Sequence, residues 1–186
     1  NDPRPYIKDI DQLPFPARHL LPMDRYFEQI EKHGQYLMRT RATTMITSRG
    51  CPGNCIYCSV RVIWGRFWRG RSPENVVDEI EFLIENYGVE EIHFLDDSMS
   101  VDMNRLEKIC DEIIARGLDI KWTTPNGIAL WLLNKDLIRK MKRAGCYRLT
   151  FGLESGNTEI LHQFIRKNYE YEHAKDIISY ASSIGL

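Results

Sequence analysis

The chain lacks a strong excess of charge of either sign and lacks any long apolar run. Its 25 lysines and arginines nearly balance its 26 aspartates and glutamates, which gives a formal net charge of -1. Such a balance gives no support for binding nucleic acid or a membrane surface. No stretch approaches the ~20 apolar residues that cross a bilayer, and the first residues lack the layout of a signal peptide. We therefore expect neither nucleic acid nor a membrane among its partners.

The cysteines are unevenly spread along the chain. There are five cysteines, of which three lie close together while Cys110 and Cys146 stand alone. A secreted disulfide framework favours an even count with wider spacing. The sequence therefore predicts a reducing, cytoplasmic setting, and we expect Cys110 and Cys146 to pack in the core as small hydrophobic side chains.

Proline is rare after residue 40 but frequent before it, because five of the eight prolines lie within residues 1–40. This composition is typical of a linker or a wrapping segment, with a short helix expected around Asp24–Lys32. We place a boundary near residue 40. Residues 41–186 would then form a single domain, for which the length and the 43% apolar content are sufficient.

Beyond residue 40, strand-like and helix-like segments alternate four times. Strands are predicted over Thr43–Ser48, Glu91–Leu95, Ile120–Thr124 and Tyr147–Leu153. Each is followed by apolar residues at helical spacing, and the first helix has a typical start at Ser72-Pro73. This alternation predicts an α/β fold with a parallel sheet and right-handed crossovers. Four units do not close a barrel, so we expect a partial parallel (β/α) barrel, truncated before the fifth strand.

The three clustered cysteines, Cys51, Cys55 and Cys58, form a C-x3-C-x2-C loop directly after the first strand. Parallel β/α folds carry their chemistry at this end of the strands. Structural zinc uses four ligands, and a closed ferredoxin-type cluster uses four cysteines, whereas no fourth cysteine or histidine lies near this loop. Three cysteines on a four-iron cluster would leave one iron open to a chelating ligand.

The spacing of these cysteines, with Tyr57 before the last one, resembles the signature of the radical S-adenosylmethionine (radical SAM) superfamily. The resemblance implies a [4Fe–4S] cluster on Cys51, Cys55 and Cys58, and S-adenosylmethionine chelating the open iron with its adenine near Tyr57. It further implies an enzyme that cleaves this cofactor reductively to a 5′-deoxyadenosyl radical, which abstracts hydrogen from a small-molecule substrate. The electron donor would be a protein such as flavodoxin or ferredoxin.

The same resemblance assigns cofactor contacts to residues at the other strand ends. Asp96 and Asp97 stand where the family binds the methionine amino group, although the commonest family form there is Gly-Gly-Glu. Glu154 and Ser155, within Gly-Leu-Glu-Ser-Gly, match the segment that contacts the ribose, and Asn126 would line the site. Each assignment has an alternative. Asp96 and Asp97 could form a solvated acidic strand end, Glu154 could lie at a helix N-terminus, and Asn126 could belong to an ordinary Asn-Gly turn.

Four segments resemble the cobalamin-dependent branch of the superfamily: residues 11–18, 47–52, 95–97 and 152–156. In that branch a preceding Rossmann-like domain binds cobalamin. Residues before 43 contain no Asp-x-His-x-x-Gly signature, so a domain outside this sequence would bind it. The expected reaction is then methylation or rearrangement. The alternatives are a methylthiotransferase-like enzyme, a non-catalytic iron–sulfur module for electron transfer and a zinc-binding interaction domain.

Overall fold

The structure, a computed structural model, describes residues 4–29 and 36–186. Its main element is a parallel sheet of four strands in the order β1-β4-β5-β6, and a two-stranded antiparallel ribbon of β2 and β3 lies beside it. The strands are β1 (Ala42–Met45), β2 (Ser48–Arg49), β3 (Arg69–Gly70), β4 (Glu91–Phe94), β5 (Lys121–Thr124) and β6 (Cys146–Leu149). The expected α/β fold with a partial parallel barrel is confirmed.

Helices connect the parallel strands. The α-helices are α1 (Met23–Gln29), α2 (Val60–Ile63), α3 (Pro73–Tyr87), α4 (Met103–Ala115), α5 (Lys135–Arg143) and α6 (Tyr171–Ser183). Short 3-10 turns cover Ile10–Gln12, Arg18–Leu20, Met99–Val101 and Leu130–Leu132, and a π-helix covers Ile160–Ile165. The helix expected over Asp24–Lys32 corresponds to α1, and residues 30–32 lie outside the described residues. No helix in the described ranges is long and apolar enough to cross a membrane.

Local sequence signals set the bounds of α3. The Ser72 hydroxyl accepts a hydrogen bond from the backbone N–H of Asn75, and Pro73 occupies the first helical position. Gly88 ends the helix in the left-handed conformation, with φ of 61°. Asp102 and Asn134 cap α4 and α5 in the same way as Ser72 caps α3.

The core lies between the sheet and its helices. Phe94 of β4 and Trp122 of β5 pack edge to face with their ring centroids 5.4 Å apart. Cys110 and Cys146 are both buried in this core as free thiols, as the sequence predicts. Burial raises the pKa of Cys110 to about 12, so this thiol stays protonated and unreactive at neutral pH.

The strands of the sheet differ from the predicted ones at their carboxyl ends. The first predicted strand, Thr43–Ser48, divides into β1 and β2, because the chain leaves the sheet after Met45 and pairs Ser48 with Gly70. The fourth ends at Leu149 rather than Leu153. In both places β-like sequence continues into a loop that carries polar groups, and hydrophobic pattern alone does not mark that point.

A buried ion-pair network fastens the N-terminal segment to α3. Glu79 accepts from Arg18 Nη1 at 2.6 Å and from Arg71 Nη1 at 2.5 Å, and its side chain is 1% exposed. The two guanidinium groups also donate to backbone oxygens of Thr44 and Ile46, at 3.1 and 3.2 Å. They therefore satisfy one carbonyl group of the edge strand β1 and one of the residue that follows it, and no further strand of the described sheet pairs with β1 on that side.

Replacing Glu79 should destabilise the fold strongly. Glu79→Gln would leave the buried Arg18 and Arg71 without a compensating charge, and breaking a buried pair in this way costs about 3–5 kcal/mol. Urea unfolding measures the decrease in the free energy of unfolding. The neighbouring Asp78→Asn is the control, because the exposed pair of Asp78 with Arg116 contributes about 0–1 kcal/mol. Equal unfolding midpoints for the two variants would contradict this role.

Candidate functional site at the carboxyl ends of the strands

Four loops gather at the carboxyl ends of the parallel strands, and hydrogen bonds join them. Asn126 Nδ2, after β5, donates to the backbone oxygen of Leu95, after β4, at 3.0 Å. The backbone N–H of Ile128 donates to Thr150, after β6, at 3.0 Å. Asn126 thus lies at this edge, as expected, where it bridges two strand ends. Its predicted contact with a cofactor stays a prediction.

Asp96 anchors the start of the cysteine loop. It is 2% exposed, and its carboxylate accepts from the Thr47 backbone N–H at 3.0 Å, from the Thr47 hydroxyl at 2.8 Å and from the Ser48 hydroxyl at 2.5 Å. Burial raises the pKa of Asp96, while these hydrogen bonds act in the opposite direction. The carboxylate therefore joins the end of β4 to the chain that leads into the cysteines.

Asp97 lies against the cysteine loop. Its carboxyl group accepts from the backbone N–H of Gly50, and burial raises its pKa with a further contribution from Asp96. Gly50 has φ of 88°, and a Cβ there would lie 2.7 Å from the Phe67 carbonyl oxygen, so only glycine fits. Of the two predicted acidic residues, Asp97 is the partly exposed one beside Cys51.

The three thiols lie near one another and are partly exposed. Burial raises the pKa of Cys51, and the nearby Cys55 and Cys58 and the carboxylate of Asp97 raise it further, while the Gly53 N–H opposes this. Among the described residues, no three His, Cys, Asp or Glu side chains are grouped to hold one metal ion. A four-iron cluster makes a different demand, because each cysteine binds its own iron. A set of three accessible, free and mutually interacting thiols fits such a cluster.

Tyr57 connects the cysteine loop to the loop after β6. Its hydroxyl donates to Glu154 Oε1 at 2.7 Å, and the neighbouring Ile56 N–H donates to the Ile165 oxygen at 3.2 Å. Burial and the hydrogen bond to Glu154 raise the pKa of Tyr57. Loops that follow the two edge strands of the sheet therefore meet, and Tyr57 and Glu154, both predicted site residues, are in contact.

The loop after β6 carries Glu154 and Ser155 in an unusual backbone conformation. Glu154 has φ of 64°, in the left-handed region that non-glycine residues seldom adopt. Ser155 Oγ accepts from the backbone N–H of Asn157 at 3.0 Å, a local side chain-to-backbone hydrogen bond that is common where serine forms a turn. The structure thus places Glu154 in the site and gives Ser155 a local backbone partner. A cofactor contact of Ser155 stays a prediction.

Sequence reasoning missed Lys167 as a member of this site. It follows the π-helix, is 8% exposed, and its Nζ donates to Glu154 Oε1 at 2.9 Å. The Tyr57 hydroxyl and the Lys167 ammonium together lower the pKa of Glu154. A lone lysine 13 residues beyond Glu154 gives no motif, so only the fold reveals the pair.

The fold and this loop define the class of protein. The model of the Radical SAM superfamily matches residues 45–186, which is more than half of the chain, and the chain belongs to this family of enzymes. The resemblance stated from the cysteine spacing is thereby confirmed.

Methyltransferases are among its relatives. Cytidylyl-2-hydroxyethylphosphonate methyltransferase of Streptomyces wedmorensis is 36% identical over 178 residues, which are 96% of this chain and 33% of that protein. An uncharacterized methyltransferase of Pyrococcus horikoshii is 37% identical over 184 residues, which are 99% of this chain and 38% of that protein. The chain spans about a third of the length of these curated relatives.

A solved structure shares the fold. The radical S-adenosylmethionine methyltransferase TsrM of Kitasatospora setae, determined with cobalamin and a [4Fe–4S] cluster bound, matches with a TM-score of 0.69 at 18% identity. The match covers 78% of this chain and 29% of that one. It places the present sheet within the fold of such enzymes.

Asp96 and Asp97 should differ sharply when each is replaced by Asn. Asp96→Asn would turn an amide donor or a weaker acceptor towards the Thr47 and Ser48 donors, and an unsatisfied buried group costs about 1–3 kcal/mol. Asp97→Asn should cost less, because Asp97 is partly exposed. Thermal unfolding of the metal-free chain measures both. A larger loss for Asp97→Asn would contradict the anchoring role of Asp96.

Proposed function

We propose that this chain is the core of a cobalamin-dependent radical SAM methyltransferase acting on a small-molecule substrate. The observation that carries the proposal is the contact of Tyr57 with Glu154, which brings the cysteine loop and the loop after β6 together at one edge of the sheet. Two of the relatives named above are methyltransferases, and TsrM has cobalamin and a cluster bound. Cobalamin would be bound mainly by a domain outside residues 41–186.

Cys51, Cys55 and Cys58 would hold the cluster through their thiolates. With a cluster and S-adenosylmethionine bound, the chemistry supplied is the one-electron reductive cleavage of the C5′–S bond of the sulfonium. The thiols must lose their protons on binding iron. Because burial and neighbouring groups raise the pKa of Cys51, its loading with iron should be favoured as the pH rises.

The other residues of the site would bind and orient S-adenosylmethionine. Glu154 offers carboxylate oxygens to the ribose hydroxyls, and a carboxylate that is held ionised accepts such bonds more strongly than a neutral group does. Asp97 offers an acceptor beside the cysteine loop for the methionine ammonium group. Tyr57 presents a partly exposed aromatic ring for the adenine. Asn126 and Ser155 also belong to the proposed set, and the predicted contact of the buried Asp96 with the cofactor stays a prediction.

Its setting and its redox partner belong to the same proposal. Free thiols at the loop and in the core suit the reducing conditions of the cytoplasm. The electron would come from a small redox protein such as flavodoxin or ferredoxin.

Replacing a single loop cysteine should abolish cluster assembly. After anaerobic reconstitution with iron and sulfide, we expect about four irons per parent chain, and no full cluster in Cys51→Ala, Cys55→Ala or Cys58→Ala. Iron analysis and absorbance spectra measure this. Cys110→Ala and Cys146→Ala are the controls, because both thiols are buried in the core and should leave the iron content unchanged. A full cluster in Cys55→Ala would exclude the assignment.

Removing the Glu154 carboxylate should weaken the binding of S-adenosylmethionine without changing the iron content. A hydrogen bond to a charged group contributes about 1.5–3 kcal/mol, which is roughly ten- to a hundredfold in affinity. Calorimetry on reconstituted Glu154→Ala measures the loss, and Glu159→Ala, at an exposed position nearby, is the control. Equal affinity in Glu154→Ala and the parent would show that Glu154 does not contact the cofactor.

A further inference from the structure

The ammonium group of Lys167 is held against the loop after β6 by several contacts. Its ammonium group donates to the Gly152 carbonyl oxygen at 2.8 Å and to Glu154 Oε1 at 2.9 Å. It also lies 5.9 Å from the centroid of the Tyr57 ring and 5.8 Å from that of Trp131, within the range of cation–π attraction. A buried lysine held by a carboxylate, a carbonyl and two aromatic faces has one well-defined position.

The hydrogen bonds to Glu154 are one-sided. Tyr57 and Lys167 both donate to Oε1, whereas no hydrogen bond from any described residue reaches Oε2. The side chain of Glu154 remains 32% exposed. One carboxylate oxygen is therefore fixed by the protein, and the other is open at the same edge of the sheet as the cysteine loop.

The backbone is shaped to permit this contact. A Cβ on Gly152 would lie 2.8 Å from Glu154 Oε1 and 3.2 Å from Lys167 Nζ, so a larger residue would displace the pair. Glu154 adopts its left-handed conformation, with φ of 64°, at a free-energy cost of about 1–3 kcal/mol. Two local constraints thus coincide at the pair of Lys167 and Glu154.

We propose that Lys167 is a positioning residue that holds the Glu154 carboxylate so that its second oxygen receives the ribose hydroxyls of S-adenosylmethionine. This inference rests on the proposed function. A carboxylate fixed in its binding orientation does not lose rotational freedom when the ligand arrives, which raises affinity. Lys167 also offsets the negative charge of the Glu154 carboxylate, which accepts a hydrogen bond from Tyr57 of the cysteine loop.

The test compares S-adenosylmethionine with its 2′,3′-dideoxy analogue, which lacks both ribose hydroxyls. Calorimetry on the reconstituted parent should show a preference of about tenfold or more for S-adenosylmethionine. Lys167→Met should lose most of this preference while keeping its iron content and its affinity for the dideoxy analogue. Lys175→Met, an exposed lysine of α6 paired only loosely with Glu172, is the control and should behave as the parent.

Glu154→Gln shows whether Lys167 acts through the carboxylate. Residues that act on one ligand contact are not additive, so Lys167→Met should have little further effect on the preference in a Glu154→Gln background. Additive losses, or an equal loss of affinity for both ligands, would overturn the proposal and leave Lys167 with a purely structural role.

Gly152→Ala disrupts the same pair without removing either charge, and it decides the matter if Lys167→Met does not fold. We expect the same selective loss of preference for the ribose hydroxyls, and an unchanged preference would overturn the proposal. A parent that binds neither ligand would contradict the proposed function itself. If the parent and Lys167→Met show the same preference for S-adenosylmethionine over the dideoxy analogue, only the role of Lys167 is contradicted.

Discussion

The site depends on the parallel pairing of four strands, because that pairing places all of their carboxyl ends at one edge. Each end leaves the sheet with polar groups that need partners, and the loops supply partners to one another. Asp96 after β4 binds the chain at Thr47 and Ser48, and Asn126 after β5 binds Leu95. The hydrogen bonding that completes the backbone is therefore the same hydrogen bonding that assembles the candidate site.

The site has a second requirement, which is that loops from the two edge strands approach each other. The cysteine loop comes after the outer strand β1, and the loop of Glu154 comes after the outer strand β6. The hydrogen bond from Tyr57 to Glu154 joins the two loops, although these residues are 97 positions apart in the sequence. The Lys167 ammonium group donates to the same carboxylate oxygen of Glu154. S-adenosylmethionine bound as we propose would have its methionine half at the cluster and its ribose at Glu154, so its two halves would contact loops that only the fold brings together.

The features that could be predicted from sequence are those with local causes. The Ser72-Pro73 start and the Gly88 end of α3 depend on a few neighbouring residues. The spacing of three cysteines in one loop is likewise a local pattern, and it is enough to predict an iron–sulfur site. The antiparallel ribbon of β2 and β3 was not predicted, because two-residue strands have no periodicity. Lys167 was missed because its partner lies in another loop. Asp96 and Asp97 are adjacent and alike in sequence, yet only the sheet determines that one is buried and the other partly exposed.

The chain that leads into the cysteine loop, at Thr47 and Ser48, is held by charged side chains, whereas Tyr57 at the far end of the loop is accessible. Arg105 of α4 donates to the backbone oxygens of Thr47 and Arg71, at 2.8 and 2.5 Å, next to the buried carboxylate of Asp96, whose charge it offsets. Tyr57, at the tip, is exposed. Arg105 binds the Thr47 carbonyl oxygen, while Asp96 binds the Thr47 N–H and hydroxyl and the Ser48 hydroxyl, so the two side chains hold the same short segment in place. Of the residues proposed to meet the cofactor, Asp97 and Asn126 also hold backbone groups at this end of the sheet, and the proposed orientation of Glu154 depends on Lys167.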